Sequence, residues 1–176
     1  MHKIKIGLVG SGFAASLHME AYKMVYGVEP VICALASTSE KAKDFADKYG
    51  IQTVYTSLDE MLQKEKLDVV DICTPPSAHA AQIEKVMMNG CHVICEKPLT
   101  GWFGDHNEPN MLEYVEKQLE ELERVIRTSG KKFFYAENFV YAPAVQKSAE
   151  LIEATGAKVL YMKGEESHSG SHAPHA

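Results

Sequence analysis

The sequence predicts an α/β fold with a doubly wound parallel sheet, followed by only the beginning of a second domain. Short apolar runs alternate with stretches of helical periodicity along most of the 176 residues. A glycine-rich turn joins the first apolar run to the first helical stretch, and later runs end in polar or proline-containing loops. Strands that alternate with helices in this way form a parallel sheet that helices cover on both faces.

The apolar runs and helical patterns define the elements in order. Strands are predicted over residues 4–10, 31–37, 53–55, 67–74, 91–95 and 132–136, with a further strand over 157–166. Helices are predicted over residues 14–25, 40–49, 58–64, 77–89, 111–128 and 142–155. In the longest helix, apolar residues recur three and four positions apart, which is typical of packing against a sheet. Ser39 and Ser57 are predicted N-caps, and glycines are predicted to end several of the helices.

Composition and charge limit the class of protein. With 45% hydrophobic and 24% charged residues, the chain has the composition of a soluble globular domain. Its net charge is −6 and its lysines and arginines are dispersed, which argues against a nucleic-acid partner. It has no run of about 18 apolar residues, so no membrane-spanning segment is expected.

The cysteine pattern bears on compartment and on metal binding. Cys33, Cys73, Cys91 and Cys95 lie in strand-like apolar runs, and none forms a CxxC pair. This arrangement favours reduced core thiols over disulfides or metal ligands. No signal peptide is expected, because glycines interrupt the apolar run near the N-terminus. We therefore expect a cytoplasmic protein without a metal site.

A candidate phosphate-binding turn, GSGFAA, follows the first strand. In this GxGxxA pattern Gly10 allows a tight turn, and Gly12 lets the backbone approach a pyrophosphate. Phe13 and Ala14 begin a helix whose free N–H groups favour an anion, while Ala15 is small enough for that helix to lie close to the sheet. Because the turn lies inside a strand–helix–strand unit, it predicts a Rossmann-type dinucleotide-binding domain with NAD or NADP as cofactor.

The end of the second strand bears on the choice between these cofactors. An acidic residue at this position binds the ribose 2′-hydroxyl of NAD and repels the 2′-phosphate of NADP. Here the position is occupied by Ser37 and followed by Thr38, with Glu40 nearby. Neutral hydroxyls accept either ribose, and Lys41 or Lys43 could add positive charge. The choice stays open, with a slight preference for NADP.

Chemistry-bearing residues also follow the fourth and fifth strands. Thr74 and Pro75 end the fourth strand, and His79 lies in the first turn of the helix that follows. Glu96 and Lys97 end the fifth strand, directly before a proline. Because the carboxyl ends of parallel strands share one edge of the sheet, we expect these residues to lie on the same rim as the phosphate turn.

Three stretches together resemble the glucose–fructose oxidoreductase / inositol dehydrogenase / rhizopine-catabolism (Gfo/Idh/MocA) family of NAD(P)-dependent oxidoreductases. They are GLVGSGFAASLHMEAY, DVVDICTPPSAHAAQIEKVMMNGCHVICEKPLT and KKFFYAENFVYAPAVQKSAELI. The resemblance extends from about residue 3 to residue 166. It implies a dinucleotide-binding Rossmann domain over residues 1–136, then a linker helix and the first strand of a substrate domain over 137–176.

The resemblance also implies roles for particular residues. Lys97 matches the lysine that handles the proton beside the reacting oxygen, and hydride removal from a carbinol carbon needs such a base. Glu96, His79 and Asn138 match positions at the nicotinamide end, and the family's proline after the lysine often follows a cis bond. His18 matches a family position in the first helix and is interpreted as structural. The expected reaction is hydride transfer between the nicotinamide and a sugar, cyclitol or related hydroxyl compound.

The chain departs from the family in length, since members usually run well beyond 300 residues. We expect a truncated or isolated N-terminal domain that lacks most of the substrate domain. Without that domain no substrate pocket closes and water is not excluded. The alternative is therefore a non-catalytic dinucleotide-binding module, regulatory or remnant. The expected partner is a small-molecule substrate, and association with further copies of the chain stays open.

Two further segments stay open at this stage. The loop GWFGDHNEPN is longer than the usual family connection, and its Trp102 and Phe103 could wall the substrate side, pack on a second domain or serve an oligomer contact. The C-terminal stretch holds His168, His172 and His175. A metal site and a substrate-contacting role in a full-length relative are two interpretations of these histidines, and a loop at the edge of the second domain is the preferred one.

Overall fold

The computed structural model describes residues 1–165. Their strands are β1 (His2–Val9), β2 (Val28–Ala36), β3 (Thr53–Tyr55), β4 (Val69–Ile72), β5 (His92–Glu96) and β6 (Phe133–Ala136). Their α-helices are α1 (Phe13–Tyr22), α2 (Ala42–Tyr49), α3 (Leu58–Lys64), α4 (His79–Met88), α5 (Met111–Thr128) and α6 (Pro143–Thr155). Short 3₁₀ turns occupy Pro76–Ala78 and Asn138–Tyr141.

The strands form one sheet in the order β3-β2-β1-β4-β5-β6, and every pairing is parallel. The chain therefore builds outward from β1 in one direction through β2 and β3, and in the other through β4, β5 and β6. The strand order reverses between β1 and β4, and ligands of open parallel sheets bind outside the strand ends at such a reversal. The predicted doubly wound parallel sheet is confirmed.

Alternate residues of the central strands pack on opposite faces of the sheet. Leu8 and Leu35 belong to a buried cluster with α1 and α2, whereas Val9 and Ile72 belong to a second cluster with α3, α4 and α5. Full burial of a side chain such as Ile72 contributes about 1.5–3 kcal/mol. Both faces are thus covered, which is why the strands are apolar almost throughout.

Helix ends follow the sequence signals in most places. The Ser57 side chain accepts the N–H of Glu60, as predicted for an N-cap. The prediction of Ser39 as N-cap is wrong, because α2 begins at Ala42. Ser39 instead accepts the N–H of Lys41 in a turn before the helix. The helix after β4 begins later than predicted, since Pro76–Ala78 forms a 3₁₀ turn.

The four cysteines are free thiols, three of them buried and Cys33 half-buried. They occupy the apolar positions that the sequence indicates for core thiols. None of the helices in residues 1–165 combines the length and the apolar character needed to cross a membrane.

The contacts divide the chain into two units, Met1–Glu137 and Asn138–Ala176. In the described part of the second unit, a 3₁₀ turn leads into α6, which has proline at its first position and ends at Gly156 in the left-handed conformation. The assignment of a dinucleotide-binding domain and the start of a substrate domain to two parts of the chain stays a prediction.

The strand predicted over residues 157–166 is not formed in its described part, residues 157–165. Extended backbone becomes a strand when its N–H and C=O groups pair with a neighbouring strand. The sheet of the described residues consists of β1 to β6 alone, so this segment has no partner there. The prediction is wrong for these residues, and the tail histidines lie outside the described part of the chain.

Candidate nucleotide-binding and catalytic site

The turn after β1 requires glycine at its first position. Gly10 has a φ of +96°, and a Cβ built on it would lie 2.6 Å from the backbone oxygen of Cys73. Its N–H donates to the carbonyl of Ala36 at 2.9 Å. Gly10 therefore brings the ends of β1, β2 and β4 together, which a residue with a side chain could not do at this distance.

The start of α1 is open toward an anion. Gly12 precedes the helix, and a Cβ there would meet nothing within 4 Å. No side chain of the described residues caps the first turn of α1, which also has no acidic residue. Its N–H groups are thus left to a ligand, and a helix N-terminus favours a negatively charged one. These observations fit the pyrophosphate of a dinucleotide.

The remaining residues of the turn differ in burial. Ala15 is fully buried against the sheet, as expected for a small residue at the point of close approach. The side chain of Phe13 is 76% exposed. The cofactor-binding role that the motif predicts for Phe13 and Ala14 stays a prediction.

A cleft of about 470 Å³ lies at the carboxyl ends of β1, β2 and β4. The lining residues among those described are all uncharged. They are Val9, Gly10, Ser11, Gly12, Ala36, Ser37, Thr38, Ser39, Thr56, Leu58, Cys73, Thr74, Pro75 and Gln82. The structure thus brings together the residues predicted at the phosphate turn, at the tip of β2 and at the tip of β4.

Two side-chain pairs organise this cleft. The hydroxyls of Ser11 and Ser37 lie 2.9 Å apart and join the phosphate turn to the tip of β2. The hydroxyl of Thr74 donates to Gln82 at 2.6 Å and joins the tip of β4 to α4. Sequence reasoning missed Ser11 and Gln82. Ser11 lies inside the glycine motif and could have been included, whereas nothing in the local sequence marks Gln82.

Glu96 and Lys97 form the tip of β5, at the same edge of the sheet as the cleft. The Glu96 carboxylate accepts the backbone N–H of Lys97 through Oε2 at 3.0 Å. The Lys97–Pro98 peptide bond is cis, as the resemblance implies, and both residues are exposed. The Lys97 side chain is therefore carried by a turn at the rim and is accessible to a ligand.

His79 links two loops of the rim. The side chain is fully buried, with Nδ1 2.8 Å from the carbonyl oxygen of Pro98 and Nε2 2.9 Å from that of Thr74. A neutral imidazole donates to one of these carbonyls and an imidazolium to both. These contacts favour a role in holding the two loops, and the predicted catalytic role of His79 stays a prediction.

A charged cluster that sequence reasoning missed lies behind the rim. His18 places Nδ1 2.8 Å from Oδ2 of Asp71 and Nε2 3.1 Å from Oε1 of Glu96. The hydrogen bond with Asp71 raises the pKa of His18 to about 9 against the opposing effect of burial, and Glu96 adds to the rise. An aspartate inside the apolar run DVVDIC was the one signal that could have indicated a buried partner.

Two members of this cluster, together with Cys73, bring potential metal-ligand atoms close together. Ligand atoms of His18, Asp71 and Cys73 lie within 4.8 Å of one another. However, these groups already bond to one another, and burial raises the pKa of the Cys73 thiol. Hydrogen bonds among the three side chains therefore account for the arrangement.

The long loop after β5 folds on α5. Trp102 donates from Nε1 to the carbonyl of Asp105 at 2.8 Å and packs edge-on against Tyr114. A second cavity of about 330 Å³ lies here, with Ser77 and Phe103 also in its lining. Trp102 thus packs on α5, which was not among the three interpretations left open for this loop, and Phe103 is half exposed. Those three interpretations stay predictions.

Asn138 begins the second unit, in the 3₁₀ turn before α6. Its predicted contact with the nicotinamide end stays a prediction.

The fold and the cleft define a class of protein, the dinucleotide-binding Rossmann domains. Residues 4–127 match the family model GFO_IDH_MocA, described as an oxidoreductase family with an NAD-binding Rossmann fold. The chain belongs to this family, and the resemblance inferred from its motifs is confirmed.

Two curated relatives illustrate the spread of the family. The uncharacterized protein YMR315W of Saccharomyces cerevisiae is 30% identical over 92% of this chain and 43% of its own length. The D-apiose dehydrogenase of Paraburkholderia graminis is 28% identical over 82% of this chain and 35% of its own length. The chain thus spans less than half of either relative.

Solved structures have the same fold. An NAD binding oxidoreductase from Klebsiella pneumoniae is 30% identical with a TM-score of 0.71, over 88% of this chain and 39% of that one. A scyllo-inositol dehydrogenase from Lactobacillus casei, solved with NAD(H) and scyllo-inositol, is 23% identical with a TM-score of 0.72, over 88% of this chain and 42% of that one. At this identity the second comparison shows the fold alone.

Proposed function

We propose that this chain is the cofactor-binding part of an NAD(P)-dependent oxidoreductase that acts on the CH–OH group of a sugar, cyclitol or related compound. One observation carries the proposal. The phosphate turn with its open helix N-terminus and the Glu96-Lys97 tip of β5 lie at the same edge of one parallel sheet. A dinucleotide that crosses this edge reaches from the turn toward the lysine. Relatives that include a D-apiose dehydrogenase support the substrate class.

The residues of the rim have separate roles. The N–H groups at the start of α1 bind the pyrophosphate. The hydroxyls of Ser37 and Thr38 contact the ribose of the adenosine half. A bound nicotinamide supplies the hydride acceptor. The exposed Lys97, in its neutral amine form, takes the proton of the substrate hydroxyl at its Nζ and becomes an ammonium, and Glu96 holds the turn that carries this lysine.

The absence of an acidic residue in the described lining of the cleft leaves room for a ribose 2′-phosphate. The Ser37 hydroxyl forms hydrogen bonds with the Ser11 hydroxyl and the Ser39 backbone N–H. The exposed Lys41 follows on the same loop, and the exposed Lys43 lies at the start of α2. These features support a slight preference for NADP over NAD.

Cofactor binding is tested by calorimetric titration with NADH and NADPH. A Gly12→Ala variant should fold normally, because the added Cβ meets no protein atom within 4 Å. It should weaken cofactor binding by at least about tenfold, since the methyl group occupies the approach of the pyrophosphate.

Gly164→Ala is the matched control, because Gly164 also has free space around it and a backbone conformation that accepts alanine. Its affinity should equal that of the parent chain. Equal affinity of the Gly12→Ala variant, or no binding of either cofactor by the parent chain at millimolar concentration, would overturn the proposal.

Turnover is tested in an active form of the protein with Lys97→Ala. This variant should keep its cofactor affinity and lose about 100-fold or more in kcat, the usual contribution of a general base. An unchanged kcat rules out Lys97 as the proton acceptor. Cofactor binding without turnover by the parent protein would favour a non-catalytic module.

A further inference from the structure

Three elements meet in one charged side-chain bridge, which we call the His18 bridge. It consists of His18 on α1, Asp71 on β4 and Glu96 at the end of β5. Both imidazole nitrogens are used, one for each carboxylate. Asp71 is fully buried, and the side chains of His18 and Glu96 are 17% and 18% exposed. The bridge is therefore part of the interior edge of the rim and is not a surface ion pair.

The bridge fixes both oxygens of Glu96. Oε1 accepts from His18 at 3.1 Å, and Oε2 accepts the backbone N–H of Lys97 at 3.0 Å. The orientation of the Glu96 carboxylate thus connects the imidazole to the peptide group that begins the Lys97 turn. Two fixed oxygens hold a carboxylate more firmly than one, because each removes a rotational freedom of the side chain.

His18 is held in its charged form by its surroundings. The titratable groups that face the bridge are Tyr22 on α1, Asp71 on β4, Cys73 directly after β4, and Cys95 and Glu96 on β5. Burial raises the pKa of the Tyr22 hydroxyl and of the Cys73 thiol, and raises that of Cys95 to about 12. These hydroxyl and thiol groups therefore stay neutral over the range in which the imidazole titrates.

We propose that His18 is a positioning residue: its imidazolium, anchored on buried Asp71, holds Glu96 and with it the Lys97 turn in place at the tip of β5, toward which the proposed dinucleotide reaches. Loss of the imidazolium proton leaves one N–H for two carboxylates and releases Glu96. The proposal rests on the proposed function for its cofactor, and on the geometry of the bridge for everything else.

The position of the bridge predicts which part of a ligand it affects. The phosphate turn and Ser37 lie at the ends of β1 and β2, whereas the two carboxylates of the bridge lie on β4 and β5, on the other side of the point where the strand order reverses. ADP-ribose contains the adenosine and pyrophosphate of NADH and lacks the nicotinamide. A positioning role at β5 should therefore change NADH binding and leave ADP-ribose binding unchanged.

The first experiment measures NADH and ADP-ribose affinity in the parent chain, in His18→Gln and in the isosteric Asp71→Asn. We expect the two variants to bind NADH at least about fivefold more weakly, with ADP-ribose changed less than about twofold. An equal loss for both ligands indicates general structural damage and overturns the proposal, as does an unchanged NADH affinity.

The second experiment needs no substitution of His18. Raising the pH should reproduce the selective loss of NADH affinity in the parent chain, with a midpoint near 9. Asp71→Asn should move the midpoint to lower pH, whereas Lys97→Ala should leave it in place if the imidazole is its source. A midpoint that disappears in Lys97→Ala assigns the effect to the lysine and overturns the proposal.

A third measurement is independent of any cofactor. The His18 imidazole and the Lys97 backbone amide should titrate together near pH 9 in NMR spectra of the free chain, because Glu96 connects them. Separate midpoints, or an imidazole that titrates below pH 7, show that the bridge does not hold the turn. If the parent chain binds neither NADH nor ADP-ribose but this joint titration is observed, the proposed function fails and the bridge stands.

Discussion

The two halves of the candidate site at the rim of the sheet are built from different kinds of interaction. The half at the tips of β1 and β2 uses backbone: a glycine turn, a helix N-terminus and the Ser11–Ser37 hydroxyl pair, with an uncharged lining. The half at the tips of β4 and β5 uses charged side chains, with His18 between Asp71 and Glu96. The first half is suited to binding a phosphate group, and the second half is suited to orienting a reacting side chain. Substitutions at each half should therefore fail in different ways.

The largest effect is expected in the charged half. Asp71→Ala removes a fully buried carboxylate that accepts hydrogen bonds from the His18 imidazole and the Tyr22 hydroxyl. Breaking a buried pair in this way costs about 3–5 kcal/mol. Urea denaturation measures the change. Asp47→Ala, at an exposed position on α2, is the control, and its unfolding free energy should stay within about 0.5 kcal/mol of the parent value. A loss below about 1 kcal/mol for Asp71→Ala would contradict a buried ion pair.

In the backbone half, Gly10→Ala should lose about 2–4 kcal/mol of unfolding free energy, from left-handed strain and from contact with the carbonyl of Cys73. Gly27→Ala is a matched control, because Gly27 has a similar φ of +85° with nothing within 4 Å. It should lose only the strain, about 1 kcal/mol. Equal losses in the two variants would show that Gly10 is required for its conformation alone and not for the close approach of β1 and β4.

A smaller effect should appear when the charged half is titrated. The pKa of His18 is raised from 6.5 to about 9 on folding, so its contribution is complete below pH 6.5 and is lost as the pH rises to about 9. At about 1.4 kcal/mol per unit, and with allowance for solvent screening of a side chain 17% exposed, the unfolding free energy should fall by about 2 kcal/mol over this window. Denaturation curves at several pH values measure this fall.

Asp71→Asn provides the comparison for that titration. The carboxylate of Asp71 is the main cause of the raised pKa of His18, so the variant should show a much flatter pH dependence between 6.5 and 9. An equally steep fall in this variant would assign the pH dependence to other groups of the protein.

The backbone half could be predicted from sequence because its signals are local. Gly10, Gly12 and Ala15 lie within one stretch of six residues, and the order of strands and helices follows from periodicity. The end of α5 at Thr128 and the cap at Ser57 follow from neighbouring residues in the same way. Prediction failed where a local signal was not matched by the structure around it. Ser39 accepts an N–H in the turn before α2 and does not cap the helix. Residues 157–165 have the sequence of a strand but do not pair with a neighbouring strand among the described residues.

The sequence by itself thus determined the parallel fold, the phosphate turn and the presence of Glu96 and Lys97 at a strand end. Only the tertiary structure decided that His18 contacts Asp71 and Glu96, which lie 53 and 78 positions further along the chain. It also decided that both ring nitrogens of His79 lie at hydrogen-bond distance from backbone carbonyls. The physical reason is that a turn depends on the conformation of a few adjacent residues, whereas a side-chain bridge depends on the register of separate strands and on how a helix packs across them.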